Sequence, residues 1–324
     1  MGDVIAFAVG PDGKSRETQP APMDALKAPE GGYVWVHVNM SGAEGQSWLE
    51  GSGHDAFSRS ALSLIETRPR CLVHGEAALV FLRGVNLNPG AEQEDMVALR
   101  LYLSDRLVVT THRRDVIAVQ DVIAALSRGA GPVNTGELLG QLALRLSERA
   151  DPIVAALNER IDDLEEVAPE EIGVAPMRGE LADVRREAIL LRRYMFPQRD
   201  ALAALEIEDF PWLTAHAHMR LREAADRATR LAEDLDAIRD RAQVVHDQVM
   251  DMRAEAMNRQ MLLLSVVSAI FLPITFITGL LGINVGGIPG AHSPLGFWSV
   301  AAILLVIALG LIGLFWKMGY LGRR

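Results

Sequence analysis

Between Gln260 and Trp316 the chain carries no Asp, Glu, Lys or Arg, although charged residues make up 23% of the whole. A charge-free stretch of this length holds two membrane-spanning helices of about 20 residues each, with a short connection. The first apolar run, Met261 to Leu281, ends in Gly282-Ile283-Asn284. The second, from about Gly296 to Trp316, closes on Lys317, Arg323 and Arg324. These constraints leave a C-terminal membrane hairpin behind a large polar domain, an arrangement that points to ion movement more than to catalysis.

A chain of 324 residues suggests two domains, and the residues before the hairpin suffice for a buried core of their own. The net charge of −10 lies entirely outside the charge-free hairpin. An acidic surface repels nucleic acid and attracts cations. Cys71 is the sole cysteine, which excludes an intrachain disulfide and a multi-thiolate metal cage; beside Leu72 and Val73 it reads as a small buried hydrophobe. The start, MGDVIAFAVGPDG, shows neither a signal peptide nor a myristoylation pattern, which predicts a cytoplasmic N-terminal domain. Arg253 and Arg259 precede the first span and basic residues follow the second, whereas the connection from Gly282 to Leu295 has none. The expected topology is N-in, C-in.

Strands are expected at Asp3–Val9, Tyr33–Val38, Cys71–Val73, Ala77–Arg83, Met96–Leu103 and Arg106–Thr111, where β-branched and aromatic residues alternate with Gly, Pro and Asn turns. A short helix begins near Ser47. From Asp115 onward long helices are expected at about 115–128, 134–168, 176–195 and 198–207. Pro211 stands where a further helix can start, and no Pro or Gly follows Trp212 until Pro273. One helix over 212–281 would reach about 105 Å and need lateral support. Its apolar stripe, Ala225, Ala228, Ala232, Leu235, Ile238, Ala242, Val245, Val249, Met252 and Ala256, would pack on the chain's own domain or on a neighbouring subunit.

A second stripe of the same helix carries Glu233, Asp236, Asp240, Asp247 and Asp251. Continued by threes and fours through Ala254, it reaches Asn258, Met261, Ser265, Ser268, Leu272, Thr275 and Gly279. A polar stripe inside a span faces protein or water. Around a symmetry axis the acids would form carboxylate rings feeding a pore, with Asp240 and Asp247 as candidate metal ligands at the cytoplasmic end. The same acids can instead be a solvated face paired with Arg230, Arg239, Arg241 and Arg253, and the small residues of the span can be helix contacts.

Gly282-Ile283-Asn284 resembles the Gly-Met-Asn signature of the CorA magnesium channels, with Ile in place of Met. The surrounding NRQMLLLSVVSAIFLPITFITGLLGINVGGIPG, residues 258–290, is similar to the ZntB-type zinc-transporter branch of that superfamily, as are LRGVNLNPGA at 82–91 and Glu94-Asp95-Met96. The resemblance implies a homopentamer with a funnel-shaped cytoplasmic α/β domain, a mixed sheet flanked by helices, over 1–211. A stalk would follow at 212–258, a pore-lining span at 259–281, a periplasmic loop at 282–295, a second span at 296–316 and a basic tail at 317–324. It further implies that Gly282, Ile283 and Asn284 form the entrance, where Asn284 would meet a hydrated ion, and that the stripe from Asn258 to Gly279 lines the conduit. Magnesium-channel members usually carry an acid in the loop; here there is none, and His292 is its only titratable side chain, able to bind zinc or, more simply, to be solvated.

His216 and His218 point about 200° apart on a helix and cannot chelate one ion together. His37, His54, His74, His112 and His246 are scattered without a metal-binding spacing, and neither a Walker loop nor a nucleophile elbow occurs. The expectation is an inner-membrane transporter of Zn2+, with the lipid bilayer, divalent cations and its own copies as partners, no nucleic acid, no prosthetic group and no enzyme activity. A channel for Mg2+ or Co2+ is the alternative, and a membrane-anchored metal-sensing scaffold the second.

Overall fold

The computed structural model describes residues 2–167, 175–290 and 292–320. The chain divides into two compact units, Met1–His246 and Asp247–Arg324. In the first, seven strands form one sheet: β1 (Val4–Val9), β2 (Ser15–Thr18), β3 (Tyr33–Asn39), β4 (Arg70–His74), β5 (Ala77–Gly84), β6 (Val97–Leu103) and β7 (Leu107–His112). Their order is β2-β1-β3-β7-β6-β5-β4. β3 and β7 run parallel while every other neighbour is antiparallel, so two antiparallel halves meet at one parallel seam. This is the mixed sheet expected from the sequence.

The two-residue period sorts the strands between two cores. Phe7, Tyr33, Trp35, Val80, Leu82, Leu99, Leu101 and Val108 face a core closed by helices α3 (Ile117–Ser127) and α4 (Thr135–Val167) and by the segment Phe210–Ala225. Val34, Val36, Val38, Leu79, Phe81 and Val109 face the other core, under helices α1 (Ala43–Gly51) and α2 (Ala56–Ser63). Each wholly buried Leu, Val or Phe contributes about 1.5–3 kcal/mol. Helix α2, which the sequence reading did not anticipate, starts at Asp55, whose carboxylate accepts from the amides of Phe57 (2.8 Å) and Ser58 (3.0 Å). Strand β2 was not anticipated either; its Ser-Arg-Glu-Thr has no apolar alternation and is held by pairing with β1.

Helix α5 (Ala175–Glu206) runs unbroken through Pro197, where two helices were expected. Interior proline costs about 3 kcal/mol, but Leu181, Val184, Ala188, Leu191, Met195, Leu202 and Leu205 are buried along one face on both sides of it. That burial outweighs the lost hydrogen bond. Residue 168, the end expected for α4, lies outside the described residues. Helix α6 (Ala215–Leu281) begins after Pro211, because Trp212 and Leu213 first turn into the core and Thr214 Oγ1 then accepts from the amide of Ala217 (3.2 Å). The stripe Ala225, Ala228, Ala232, Leu235, Ile238, Ala242 and Val245 is buried. Arg241 bonds Glu165 of α4, and Arg222 bonds Glu206 of α5, so this stripe packs within the chain's own first unit.

The second unit holds the rest of α6 and helix α7 (Gly296–Lys317). At 22 residues α7 is about 33 Å long, matching a hydrocarbon core of about 30 Å. Trp298 and Trp316 lie near its two ends, the places where amphipathic rings sit at membrane interfaces. None of its described side chains is buried, and of the described apolar side chains of the α6 span only Val266 is. So large an apolar surface requires lipid or neighbouring copies to cover it.

Candidate functional site

Seven positions of α6 in the second unit were singled out by spacing. At about 100° per residue, Asn258, Met261, Ser265, Ser268, Leu272, Thr275 and Gly279 fall within an arc of about 100°. All seven are exposed, Leu272 at 73%. The Ser265 hydroxyl donates to the Met261 carbonyl one turn back (2.9 Å), which satisfies its proton and leaves its oxygen facing outward as an acceptor. Thr278, adjacent to the arc, likewise donates to the Thr275 carbonyl (3.0 Å). Pro273 inside the helix supplies no amide to the Ala269 carbonyl, so an acceptor is left at this depth.

Gly282 follows the last residue of α6, and its amide donates to the carbonyls of Thr278 (2.9 Å) and Gly279 (3.2 Å). A Cβ at Gly282 would lie 2.9 Å from the Thr278 oxygen, so the tight exit requires glycine. Ile283 and Asn284 follow, both exposed, and the Val285 amide closes a turn on the Ile283 carbonyl (3.0 Å). The loop bends again at Gly287 and Gly290, both with positive φ. Exposed His292 lies beyond them. The Asn284 amide group offers both an acceptor oxygen for a cation and a donor for its water shell.

In the first unit, the acidic stripe divides. Asp236 Oδ1 lies 2.5 Å from Arg192 Nε of α5 and 3.0 Å from Arg239, and the acid is only 26% exposed. The Arg192 contact is a charge pair without the alignment of a hydrogen bond. Asp240 accepts both arms of Arg239 (3.0 and 2.7 Å) and remains 68% exposed. Asp236 is thus a structural partner of α5: Arg239 belongs to the set expected for a solvated face, but Arg192 does not, and the acid is half-buried rather than solvated. Arg241, a candidate partner for these acids, serves α4 instead, through Glu165, Asp162 and Asn158. In the second unit, Asp247 and Asp251 are exposed. No group of three or more His, Cys, Asp or Glu suited to a metal ion occurs among the described residues.

The histidines hold one surprise. His37 and His112 stack with ring centroids 4.5 Å apart, because the parallel seam sets Asn39 opposite His112 and His37 opposite Thr110. Burial pushes both well toward the neutral form, His37 most. Nothing in their spacing of 75 positions announces this pair. His216 accepts from Arg220 (3.2 Å) one turn along α6. Cys71 is half-buried against the core rather than fully inside it, and burial raises its thiol to about 11, so little thiolate is present at neutral pH.

A family profile described as "CorA-like Mg2+ transporter protein" matches residues 30–318. The chain is 36% identical over 310 residues to the zinc transport protein ZntB of Pectobacterium atrosepticum, covering 95% of this chain and 93% of that one. It is 40% identical over 274 residues to the divalent cation transporter CmaX of Pseudomonas aeruginosa, covering 84% and 82%. A solved structure of full-length CmaX superposes with a TM-score of 0.84 at 35% identity, covering 98% of each chain.

Proposed function

The chain belongs to the CorA-like family of membrane-embedded divalent cation transporters, and from that premise we propose that it carries Zn2+ across the inner membrane through the central pore of a homopentamer. The observation that supports this most is the arc from Asn258 to Gly279, the small and polar face of an otherwise lipid-compatible span, followed directly by exposed Asn284. An anchor needs no such face; a conduit does. Both termini are cytoplasmic in this reading. Ions reach the Asn284 ring still hydrated, and five Asn284 side chains hold the water shell without stripping it. They pass the Leu272–Thr275 level, where five hydroxyls and the Ala269 carbonyls accept from shell waters, and leave past Asp247 and Asp240. A loop without carboxylates binds the ion weakly, which favours release into the pore over retention.

Mg2+ is the second reading, favoured by the description of the family that matches. Uptake into proteoliposomes separates them: Zn2+, Mg2+ and Co2+ are compared with and without an inward proton gradient, with Asn284→Ala beside the parent. Zinc flux that rises with the gradient and falls at least tenfold in the variant is expected. Flux favouring Mg2+ regardless of the gradient moves the protein to the channel reading, and absence of any flux removes the pore.

A further inference from the structure

In a chain of net charge −10, the first unit contains a cavity of about 290 Å3 whose lining is cationic. Arg83 of β5 and Arg100 of β6 share the strand phase of Phe81, Leu79 and Tyr102, which face α1 and α2. The register sets Phe81 opposite Arg100 and Arg100 opposite Thr111, and Arg113 lies two residues beyond Thr111. Two neighbouring strands and the bend just past β7 therefore bring three guanidinium groups to the same cavity.

Carbonyl oxygens and one aromatic ring hold these groups in place. Arg83 donates from Nε to Thr67 (2.9 Å) and from Nη1 to Met96 (2.6 Å), and lies over the Tyr194 ring at 4.5 Å. Arg100 donates from Nη2 to Ile65 (2.8 Å), and Arg113 from Nη2 to Ser63 (3.3 Å). Among the described residues none of the three forms an ion pair. Of the two acids in the lining, Asp95 is engaged by Arg114 and Glu66 is exposed. Arg100 is 1% exposed, and its Nε, like that of Arg113, is buried with no hydrogen-bond partner. Burial, with Arg113 and Arg83 close by, lowers the Arg100 guanidinium to about 10. Buried charges in folded proteins are paired or serve a ligand, and three uncompensated cations in one cavity are the arrangement an anion neutralises.

The geometry points to Arg83, Arg100 and Arg113 as a binding site for a phosphate-type oxyanion, either free phosphate or the phosphoryl end of a small metabolite. Planar guanidinium forks match tetrahedral oxyanions with two parallel hydrogen bonds each, a pairing that a spherical halide cannot satisfy. The volume lies at the lower limit of ligand pockets, roughly 300–1,000 Å3, and admits a phosphoryl group with a short organic remainder. This site shares no residue with the proposed ion path and does not depend on which cation is carried.

The test is calorimetric titration of the purified full-length protein in phosphate-free buffer with inorganic phosphate and, separately, glycerol phosphate, against chloride at equal ionic strength. Saturable phosphate binding that also raises the melting temperature is expected. Tighter binding of glycerol phosphate assigns a metabolite, and the reverse assigns free phosphate. Arg100→Met and Arg113→Gln should each weaken binding by about tenfold to a hundredfold, the value of a charged hydrogen bond. If Arg100→Met does not fold, Arg113→Gln carries the comparison together with phosphorus NMR line broadening on the parent. Heats and melting shifts equal to those of chloride, or binding that survives the substitutions, overturn the assignment.

Discussion

Replacing Asp236 by Asn separates two roles that the sequence alone could not distinguish. The carboxylate sits between Arg192 (2.5 Å) and Arg239 (3.0 Å) and is 26% exposed, while Arg192 is 35% exposed. Exposed ion pairs contribute about 0–1 kcal/mol, and breaking a buried one costs about 3–5. A pair at this intermediate depth, misaligned for hydrogen bonding, should contribute about 1–2 kcal/mol. For a unit of this size that lowers the melting temperature by roughly 2–8 °C, at about 2–4 °C per kcal/mol. Asp240→Asn, removing a carboxylate that is 68% exposed, should leave the melting temperature within about 2 °C. Thermal melts in detergent followed by circular dichroism read this difference, and zinc uptake is measured on the same preparations. If Asp236→Asn melts like the parent yet slows uptake as much as Asp240→Asn, the assignment of Asp236 to the α5–α6 contact is wrong and the acid belongs to the ion path.

Three further outcomes are expected. In the proposed conduit, the double change Ser268→Leu and Thr275→Leu removes two hydroxyls per subunit; at about 1 kcal/mol for each of two or three shell contacts, zinc flux drops roughly 30- to 160-fold, with oligomeric state by light scattering unchanged. Unchanged flux would remove the arc from the pore. Burial lowers His54 to about 4 and holds His37 and His112 below the ordinary value, whereas the unfolded histidines titrate near 6.5. Below about pH 6.5 the unfolded chain therefore binds protons that the folded one refuses, so stability is full above that pH and is lost as pH falls toward 4. Melting temperatures across this window should fall less steeply in His54→Gln, and an identical slope would contradict the role given to burial. Asp55→Ala removes the cap of α2 and the partner of His74 (3.0 Å); at about 1 kcal/mol for a cap, it should lower the melting temperature by roughly 2–4 °C, and an unchanged value would show the cap to be energetically idle.

What could be read in advance followed from patterns that one physical effect dominates. The hairpin was legible because lipid excludes charge, and β3, β5, β6 and β7 because burial on a sheet enforces β-branched and apolar runs. Pro197 misled because local propensity argued for a break where a long buried face prevails. Strand β2 escaped notice because its only cause is its partner. Asp236 looked like its neighbours on α6, yet Arg192 reaches it from α5, a contact that spacing along one helix cannot reveal. The His37–His112 stack needs the parallel seam, and parallel pairing of β3 with β7 is not written in either strand. Arg83 and Arg100 did leave a trace: each places a charge inside an otherwise uncharged, largely apolar strand.

The core that β1, β3, β5, β6 and β7 share with the segment Phe210–Ala225 also fixes an order of events during synthesis. Its last contributors are Leu221, Ala224 and Ala225, so the sheet cannot be sealed on that side before they are made. Every residue needed to seal it nevertheless precedes Met261 by roughly 35 positions or more, which at about 5–20 residues per second is a lead of about 2–7 s. The sheet and this core can thus close before the hydrophobic hairpin is translated, while the α6 stripe that runs on to Val245 is added later. A nascent chain with a loosened core, as in Leu221→Asp, would meet the insertion machinery unfolded, and its defect would appear as degradation before assembly rather than as slow transport.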